Sequence, residues 1–96
     1  MLDSEKKKLD IIATLLQDFS NDILITGHCA ERGSENARQV LSEQRAESVA
    51  SYLKQLGVRD AYHIFSQGKG STEPIASNAT EEGRQKNRRV EIIVLN

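Results

Sequence analysis

The most informative segment of this sequence is Asn87-Arg88-Arg89-Val90-Glu91-Ile92, near the end of the chain. It joins a polar, basic segment to an apolar one that continues to Leu95, and this pattern predicts a strong final strand over residues 90–95. One face of that strand carries Val90, Ile92 and Val94, and the other carries Ile93 and Leu95.

Upstream of this strand, the hydrophobic pattern predicts a helix followed by a short buried strand. Apolar residues at helical spacing indicate a first helix over about residues 4–19, and Asn21-Asp22 ends it. Ile23-Leu24-Ile25-Thr26 is apolar on both faces and predicts the strand, which Gly27 ends. The residues expected on the buried face of the helix are Leu9, Ile12, Ala13, Leu16 and Phe19.

A second helix is expected from near Ser34 to Leu56, with Gly57 in the left-handed position that often follows a helix. A weak alternation over residues 62–66 predicts another strand, and glycine, proline and asparagine between residues 68 and 78 predict a long turn-rich connection. The residues that can share the apolar face of this helix are Ala37, Leu41, Val49, Leu53 and Leu56, with Ala46 and Ala50 allowing close packing.

The predicted order is helix, strand, helix, strand, loop, strand. Two main helices packed on one face of a small mixed sheet are the natural arrangement, an α+β fold of two layers. Ninety-six residues suit a single domain over residues 1–96.

Composition removes several classes of function from consideration. Thirteen basic and 14 acidic residues give a net charge of −1, so no overall field favours nucleic acid. The longest apolar runs are too short to cross a bilayer, so this chain is not expected to insert into a membrane. Two histidines and one cysteine provide no metal-ligand spacing, and neither a metal nor a cofactor is expected.

Several segments together resemble the OmpA-like domain family. That family places Gly-His-Thr-Asp at a strand end, then a helix with Leu-Ser-x-x-Arg-Ala, and later Asn-Arg-Arg-Val-Glu. This chain shows Gly27-His28, Leu41-Ser42, Arg45-Ala46, a glycine-, proline- and asparagine-containing connection, and residues 87–91 in the same order and at similar spacing. The resemblance covers roughly residues 9–94, and so many residue types at fixed offsets make a specific signal.

The resemblance also implies a strand before the first helix, and this chain begins at the helix. We therefore expect a domain that is part of a longer protein or that lacks this strand. An open sheet edge beside residues 23–26 or 90–95 would then invite pairing with a protein partner or with a second copy.

What the resemblance implies is binding without catalysis, in the periplasm, as part of an envelope or outer-membrane-associated protein. Family members hold the zwitterionic diamino acid of a peptidoglycan stem peptide. An aspartate takes the ammonium and an arginine takes the carboxylate through charge-assisted hydrogen bonds. The aspartate position corresponds to Ala30 and the arginine to Arg45, while the neighbouring threonine and the helix asparagine correspond to Cys29 and Arg38. The expected ligand-binding residues are therefore Arg45, Ala30, Cys29, Arg38 and Arg88.

Of the two charged residues that bind the zwitterion in the family, the aspartate is therefore replaced here. Loss of a buried charged partner costs about 2–5 kcal/mol, so the pocket is expected to be altered towards a carboxylate without an ammonium beside it, or towards a different diamino acid. Glu31, one residue on, is a candidate substitute carboxylate, although an extended segment would point it elsewhere.

Structural roles compete with these assignments. Arg45 can be a surface residue paired with Glu31 or Glu35, and one arginine of the Arg88-Arg89 pair is expected to support the loop while the other faces solvent. The alternative function is a degenerate domain that no longer binds peptidoglycan and serves a structural or protein-interaction role. A cell-wall hydrolase is a third class, for which no acid/base pair or metal constellation can be assembled.

Overall fold

The computed structural model describes residues 3–96, which form three helices and a three-stranded mixed sheet. The elements in chain order are α1 (Asp3–Leu16), β1 (Ile23–Gly27), α2 (Glu35–Gln55), β2 (Ile64–Gly68), α3 (Glu81–Asn87) and β3 (Val90–Val94). The expected α+β architecture is confirmed, with α1 and α2 contributing to one apolar core against the sheet.

The strand order β2-β1-β3 places β1 at the centre of the sheet. β1 runs parallel to β2 and antiparallel to β3, with Ile25 opposite Ser66 on one side and Ile92 on the other. The expectation of an open edge beside residues 23–26 is therefore wrong, because both sides of β1 are paired. The open edges among the described residues belong to β2 and β3.

The buried face of α2 matches the expected one at Ala46, Ala50 and Leu53 but differs from it elsewhere. Ala37, Leu41 and Leu56 are exposed, and the residues at the core are Ser42, Ala46, Ala50 and Leu53. The reason is the close approach of α2 to the sheet: a Cβ atom added at Gly27 would lie 2.0 Å from the carbonyl oxygen of Ser42. Only small helix residues fit where α2 approaches Gly27 this closely. A prediction of the buried face from apolar residues alone therefore places Leu41 wrongly.

Both ends of α2 match the sequence prediction. The Ser34 side chain accepts a hydrogen bond from the Ala37 N–H at the start of the helix. At the other end, Gly57 has φ 75°, and the N–H groups of Gly57 and Val58 donate to the carbonyls of Lys54 and Leu53. This pair of bonds is a Schellman motif, with buried Val58 supplying its apolar contact.

α1 is shorter than predicted and ends at Leu16. Leu9, Ala13 and Leu16 are buried and Ile12 packs against them, but Phe19 lies beyond the helix and is 53% exposed. The Arg59 guanidinium donates to the carbonyls of Leu16 and Asn21. This contact satisfies carbonyl groups at a helix end that carries no basic residue of its own.

The second strand begins two residues later than predicted. Asp60 forms a tight turn in which its carboxylate accepts from the Tyr62 N–H and its carbonyl accepts from the His63 N–H. These bonds hold residues 60–63 in a turn, so regular pairing with β1 starts at Ile64.

The connection between β2 and β3 contains a helix that the sequence prediction missed. α3 begins after Thr80, whose hydroxyl accepts from the Gly83 N–H, and ends at Asn87. Seven residues with a glycine in the middle give little helical periodicity, which is why a loop was expected. A Cβ atom at Gly83 would lie 1.8 Å from the Ser77 carbonyl oxygen, so this helix packs tightly on the preceding loop.

Candidate functional site

The segment that follows β1 is held between two loops and is almost completely buried. The His28 N–H donates to the Arg89 carbonyl, and the Cys29 N–H donates to the Gly70 carbonyl, both at 2.8 Å. Ala30 comes next and is 4% exposed. The backbone of residues 28–30 is therefore fixed by its neighbours on both sides and does not depend on a ligand for its position.

Arg45 reaches this segment from α2. Its Nη1 donates to the His28 carbonyl at 3.2 Å, and the side chain is only partly buried. Within residues 3–96, no carboxylate lies within 4.0 Å of its guanidinium. The expected alternative, a surface arginine paired with Glu31 or Glu35, is therefore wrong.

The Arg45 guanidinium lines an open groove of about 670 Å³ between α1, α2 and β3. One end of the groove is basic, with Arg45, Arg88 and Arg89. The other end is formed by α1 and by apolar side chains. The residues of this second part are Glu5, Lys8, Leu9, Ile12, Val49, Val90 and Ile92. The groove thus combines basic and apolar side chains with one acidic side chain, Glu5.

The two consecutive arginines at the basic end already have partners. Arg88 bonds the Glu81 carboxylate, and Arg89 bonds the Glu91 carboxylate at 2.8 Å and the Glu73 carbonyl at 3.0 Å. Their side chains are 25% and 17% exposed, so the expectation that one of them faces solvent is wrong. These bonds lower the pKa of the Glu81 and Glu91 carboxyl groups.

Arg38 and Cys29 form a separate cluster on the other side of the buried segment. Arg38 Nη1 donates to the Ser71 hydroxyl at 2.7 Å, so this guanidinium points to the connecting loop and does not line the groove. The Cys29 thiol donates to the Arg38 carbonyl at 3.2 Å. Burial raises the pKa of this thiol above its usual value, which makes it a poor nucleophile at neutral pH.

Glu31 is turned away from Arg45 and towards Asn78. The Glu31 N–H donates to the Asn78 Oδ1 at 3.2 Å, and the Asn78 amide nitrogen donates to the Glu31 carboxylate at 3.4 Å. Glu31 is exposed, as expected of a side chain that follows the buried segment in extended backbone. It supplies no carboxylate beside Arg45.

Asn87 is a central residue whose role the sequence analysis did not identify. It is completely buried, its Oδ1 accepts from the N–H groups of Ile75 and Ala76, and its Nδ2 donates to Ala76 and Asn78. Through Asn78, this network supports the backbone at Glu31. The sequence signal for this role of Asn87 was its place in the segment of residues 87–92. A side-chain amide provides two N–H donors and a carbonyl acceptor at one point, as this network requires.

Ser42 is the second such residue. Its hydroxyl donates to the Gln39 carbonyl within α2 and accepts from the Gly70 N–H at 2.9 Å. It therefore joins α2 to the loop that also holds Cys29.

His28 is buried, but neither ring nitrogen makes a hydrogen bond within the described residues. The nearest acidic atom is Glu91 Oε1, 3.7 Å from Nε2, which is too long for a hydrogen bond. Burial, followed by the charge of Arg89, lowers the His28 pKa from its usual value. Among residues 3–96, no group of His, Cys, Asp and Glu side chains is arranged to hold a metal.

The structure therefore brings together Arg45, Arg88 and Arg89, and it places Ala30, Cys29 and Arg38 outside the lining of the groove. Arg45 has N–H donors to spare, since residues 3–96 accept one of its bonds and a guanidinium carries five N–H groups. This arrangement suits an anionic group, and a carboxylate above all, because its two oxygens match the guanidinium fork.

The comparison with known protein families matches residues 2–88 to the OmpA family. Among curated proteins, the chain is 54% identical over 72 residues to the peptidoglycan-binding protein ArfA of Mycobacterium tuberculosis, which covers 75% of this chain and 22% of ArfA. It is 40% identical over 92 residues to the outer-membrane lipoprotein YfiB of Pseudomonas aeruginosa, covering 96% of this chain and 54% of YfiB. The chain thus spans about a fifth to about half of the length of these relatives.

Solved structures give the same fold. The C-terminal domain of Helicobacter pylori MotB superposes with a TM-score of 0.91 at 28% identity, over 100% of this chain and 75% of that one. The peptidoglycan-associated lipoprotein of Burkholderia pseudomallei gives a TM-score of 0.88 at 30% identity, over 99% and 80% of the two chains. No helix within residues 3–96 has the length and apolarity needed to cross a membrane.

Proposed function

This chain belongs to the OmpA family, and we propose that it associates non-covalently with peptidoglycan in the bacterial periplasm by binding a stem-peptide carboxylate at Arg45. The proposal takes the ligand class from the relatives, since ArfA is named as peptidoglycan-binding and a second relative as peptidoglycan-associated. It takes the periplasmic location from the outer-membrane lipoproteins among them. The role is binding without a catalytic step.

The observation that carries the proposal is the state of the Arg45 guanidinium. Arg45 lines an open groove that Glu5 also lines, its one hydrogen bond within residues 3–96 goes to the His28 carbonyl, and no carboxylate of those residues lies within 4.0 Å of its guanidinium. In a domain that no longer binds peptidoglycan, the pocket would be filled, for instance by Glu31 or Arg38 in contact with Arg45. Instead, Glu31 is bonded to Asn78 and Arg38 to Ser71.

The second part of the proposal concerns the missing acid. In our assignment, Ala30 stands where the family carries an aspartate, and Glu31 does not replace it because it faces Asn78. A ligand ammonium would therefore find no carboxylate at this position. We expect the pocket to bind a carboxylate that has no free ammonium beside it. Alternatively, it binds a diamino acid whose ammonium lies away from Ala30.

The test is co-sedimentation of the chain with purified insoluble peptidoglycan of two kinds, one containing diaminopimelate and one containing another diamino acid. Arg45→Ala is expected to abolish the association, because it removes the charged partner of the ligand, a loss of about 2–5 kcal/mol. Arg45→Lys should restore only part of it, since a point charge does not reproduce the guanidinium fork. Arg32→Ala is the matched control, because Arg32 is exposed and does not line the groove.

Absence of co-sedimentation with either wall type would refute the proposal and favour a domain retained for its fold and its protein contacts. A further variant, Ala30→Asp, tests the account of the missing acid. It should strengthen binding of diaminopimelate-containing fragments by about tenfold, equivalent to one charge-assisted hydrogen bond. An unchanged affinity in that variant would show that Ala30 does not occupy the ammonium subsite.

A further inference from the structure

His28 is a buried titratable side chain that the proposed binding step does not use. It is 1% exposed, and neither ring nitrogen bonds a partner within residues 3–96. A neutral imidazole carries one N–H donor and one acceptor nitrogen, so burial without partners is unfavourable in either tautomer. The imidazole is also the side chain whose protonation falls nearest to neutral pH. A change in its protonation places a charge inside the segment that carries the site.

Three charged side chains surround the His28 ring, and a fourth contacts its backbone. Glu91 Oε1 lies 3.7 Å from Nε2, and Arg89 and Glu73 lie close enough for their charges to act on the ring. From α2, Arg45 donates to the His28 carbonyl. Both arginines line the groove. The ring therefore lies next to one groove-lining guanidinium, while the backbone of the same residue bonds the other.

The charges beside the groove balance only while His28 is neutral. Arg89 Nε donates to Glu91 Oε2 at 2.8 Å, which leaves Oε1 as the oxygen nearer to His28. The Glu91 side chain is 44% exposed, so its carboxylate has room to move the roughly 0.8 Å that brings Oε1 within hydrogen-bond distance of Nε2. After protonation, one carboxylate serves two cations. The surplus positive charge then falls on Arg89, at the wall of the groove.

We infer that protonation of His28 strengthens the binding of a carboxylate in the groove, with Glu91 shared between His28 and Arg89 in the protonated state. This inference rests on the proposed function, because it assigns a pH dependence to the same site. Burial and the charge of Arg89 lower the His28 pKa in the free protein, so the gain in affinity comes below about pH 6.5. The coupling is reciprocal: a bound carboxylate lowers the acid dissociation constant of His28 by the factor by which protonation raises the affinity.

The test measures the affinity of soluble, diaminopimelate-containing peptidoglycan fragments at about pH 7 and about pH 5, where their carboxyl groups stay ionised. A His63→Asn background removes the second histidine, which pairs with Asp22 and does not line the groove. Acidification should raise the affinity about fivefold, at the lower end of typical couplings between two sites. Addition of His28→Asn should remove this rise, and any residual change measures the titration of the fragments and of other carboxyl groups.

An NMR titration of the His28 ring measures the same coupling with His28 in place, and so holds even if His28→Asn does not fold. Addition of the fragments should move the His28 titration to higher pH, and circular dichroism establishes that the protein is folded at both pH values. Equal affinity at the two pH values, or a rise that survives His28→Asn, would overturn this inference and leave the proposed function standing. Absence of binding at both pH values would refute the proposed function and this inference with it.

Discussion

Replacement of Asn87 by alanine is predicted to be among the most damaging single changes in this protein. The side chain is fully buried and makes four hydrogen bonds, two accepted by Oδ1 from Ile75 and Ala76 and two donated by Nδ2 to Ala76 and Asn78. At about 1 kcal/mol for each bond, the variant should lose about 4 kcal/mol of unfolding free energy.

The exposure of the loop around Asn87 sets the lower limit of the predicted loss of unfolding free energy. Ile75 is 62% exposed, so water can reach part of the loop and reduce the loss to about 2 kcal/mol. For a chain of this size, about 4 kcal/mol corresponds to a fall in Tm of roughly 15–30 °C.

The assay is urea denaturation followed by circular dichroism, with Asn36→Ala as the matched control. Asn36 is an exposed residue in the first turn of α2, and its replacement should change stability by less than about 0.5 kcal/mol. Because Asn87 supports Asn78, which in turn bonds Glu31, the variant should also weaken ligand binding. A loss of under about 1 kcal/mol would refute the view that this amide organises the connecting loop.

Gly27→Ala should destabilise the fold by more than about 3 kcal/mol in the same assay, because the new Cβ would lie 2.0 Å from the Ser42 carbonyl oxygen. Gly33→Ala, which has open space but φ 76°, should cost only about 1 kcal/mol, and equal effects would contradict the close approach of α2 to β1. The lowered His28 pKa means that the unfolded chain binds more protons, so this residue's contribution to stability is present above about pH 6.5 and lost as the pH falls below it. His63, whose pKa is raised mainly by its hydrogen bond to an aspartate, acts in the opposite direction, so the unfolding free energy should be measured between pH 5 and 8 in a His63→Asn background. Addition of His28→Asn should flatten that profile, and an unchanged slope would exclude His28 as its source.

The comparison between sequence and structure shows where local signals sufficed. The bounds of α2 were predictable because Ser34 and Gly57 act within one turn of the helix ends that they define. The sheet strands at residues 23–27 and 90–94 were predictable because each is a short apolar run. The family resemblance pointed to Arg45 as the anion-binding residue, and its place in the groove supports that choice.

The errors occurred where the packing distance between elements outweighed local apolarity. α2 buries Ser42, which was not expected at the core, and exposes Leu41, because Gly27 and Gly68 allow the sheet to lie against the helix backbone. α3 was missed because its seven residues are stabilised by contact with the preceding loop and not by helical periodicity.

From the sequence alone came Arg45 as the candidate anion-binding residue, Ala30 as the expected replacement of the family's aspartate, and the order of the two long helices and three strands. These features follow from residue types and from bonds formed over a few residues. The tertiary structure determines which charged side chains are bonded to other residues of the protein and which one faces the groove. Glu31 is bonded to Asn78 and Arg38 to Ser71, whereas Arg45 is left facing an open groove. The physical reason is that each of these pairings joins residues more than 30 positions apart, so it depends on how the elements pack and not on local sequence.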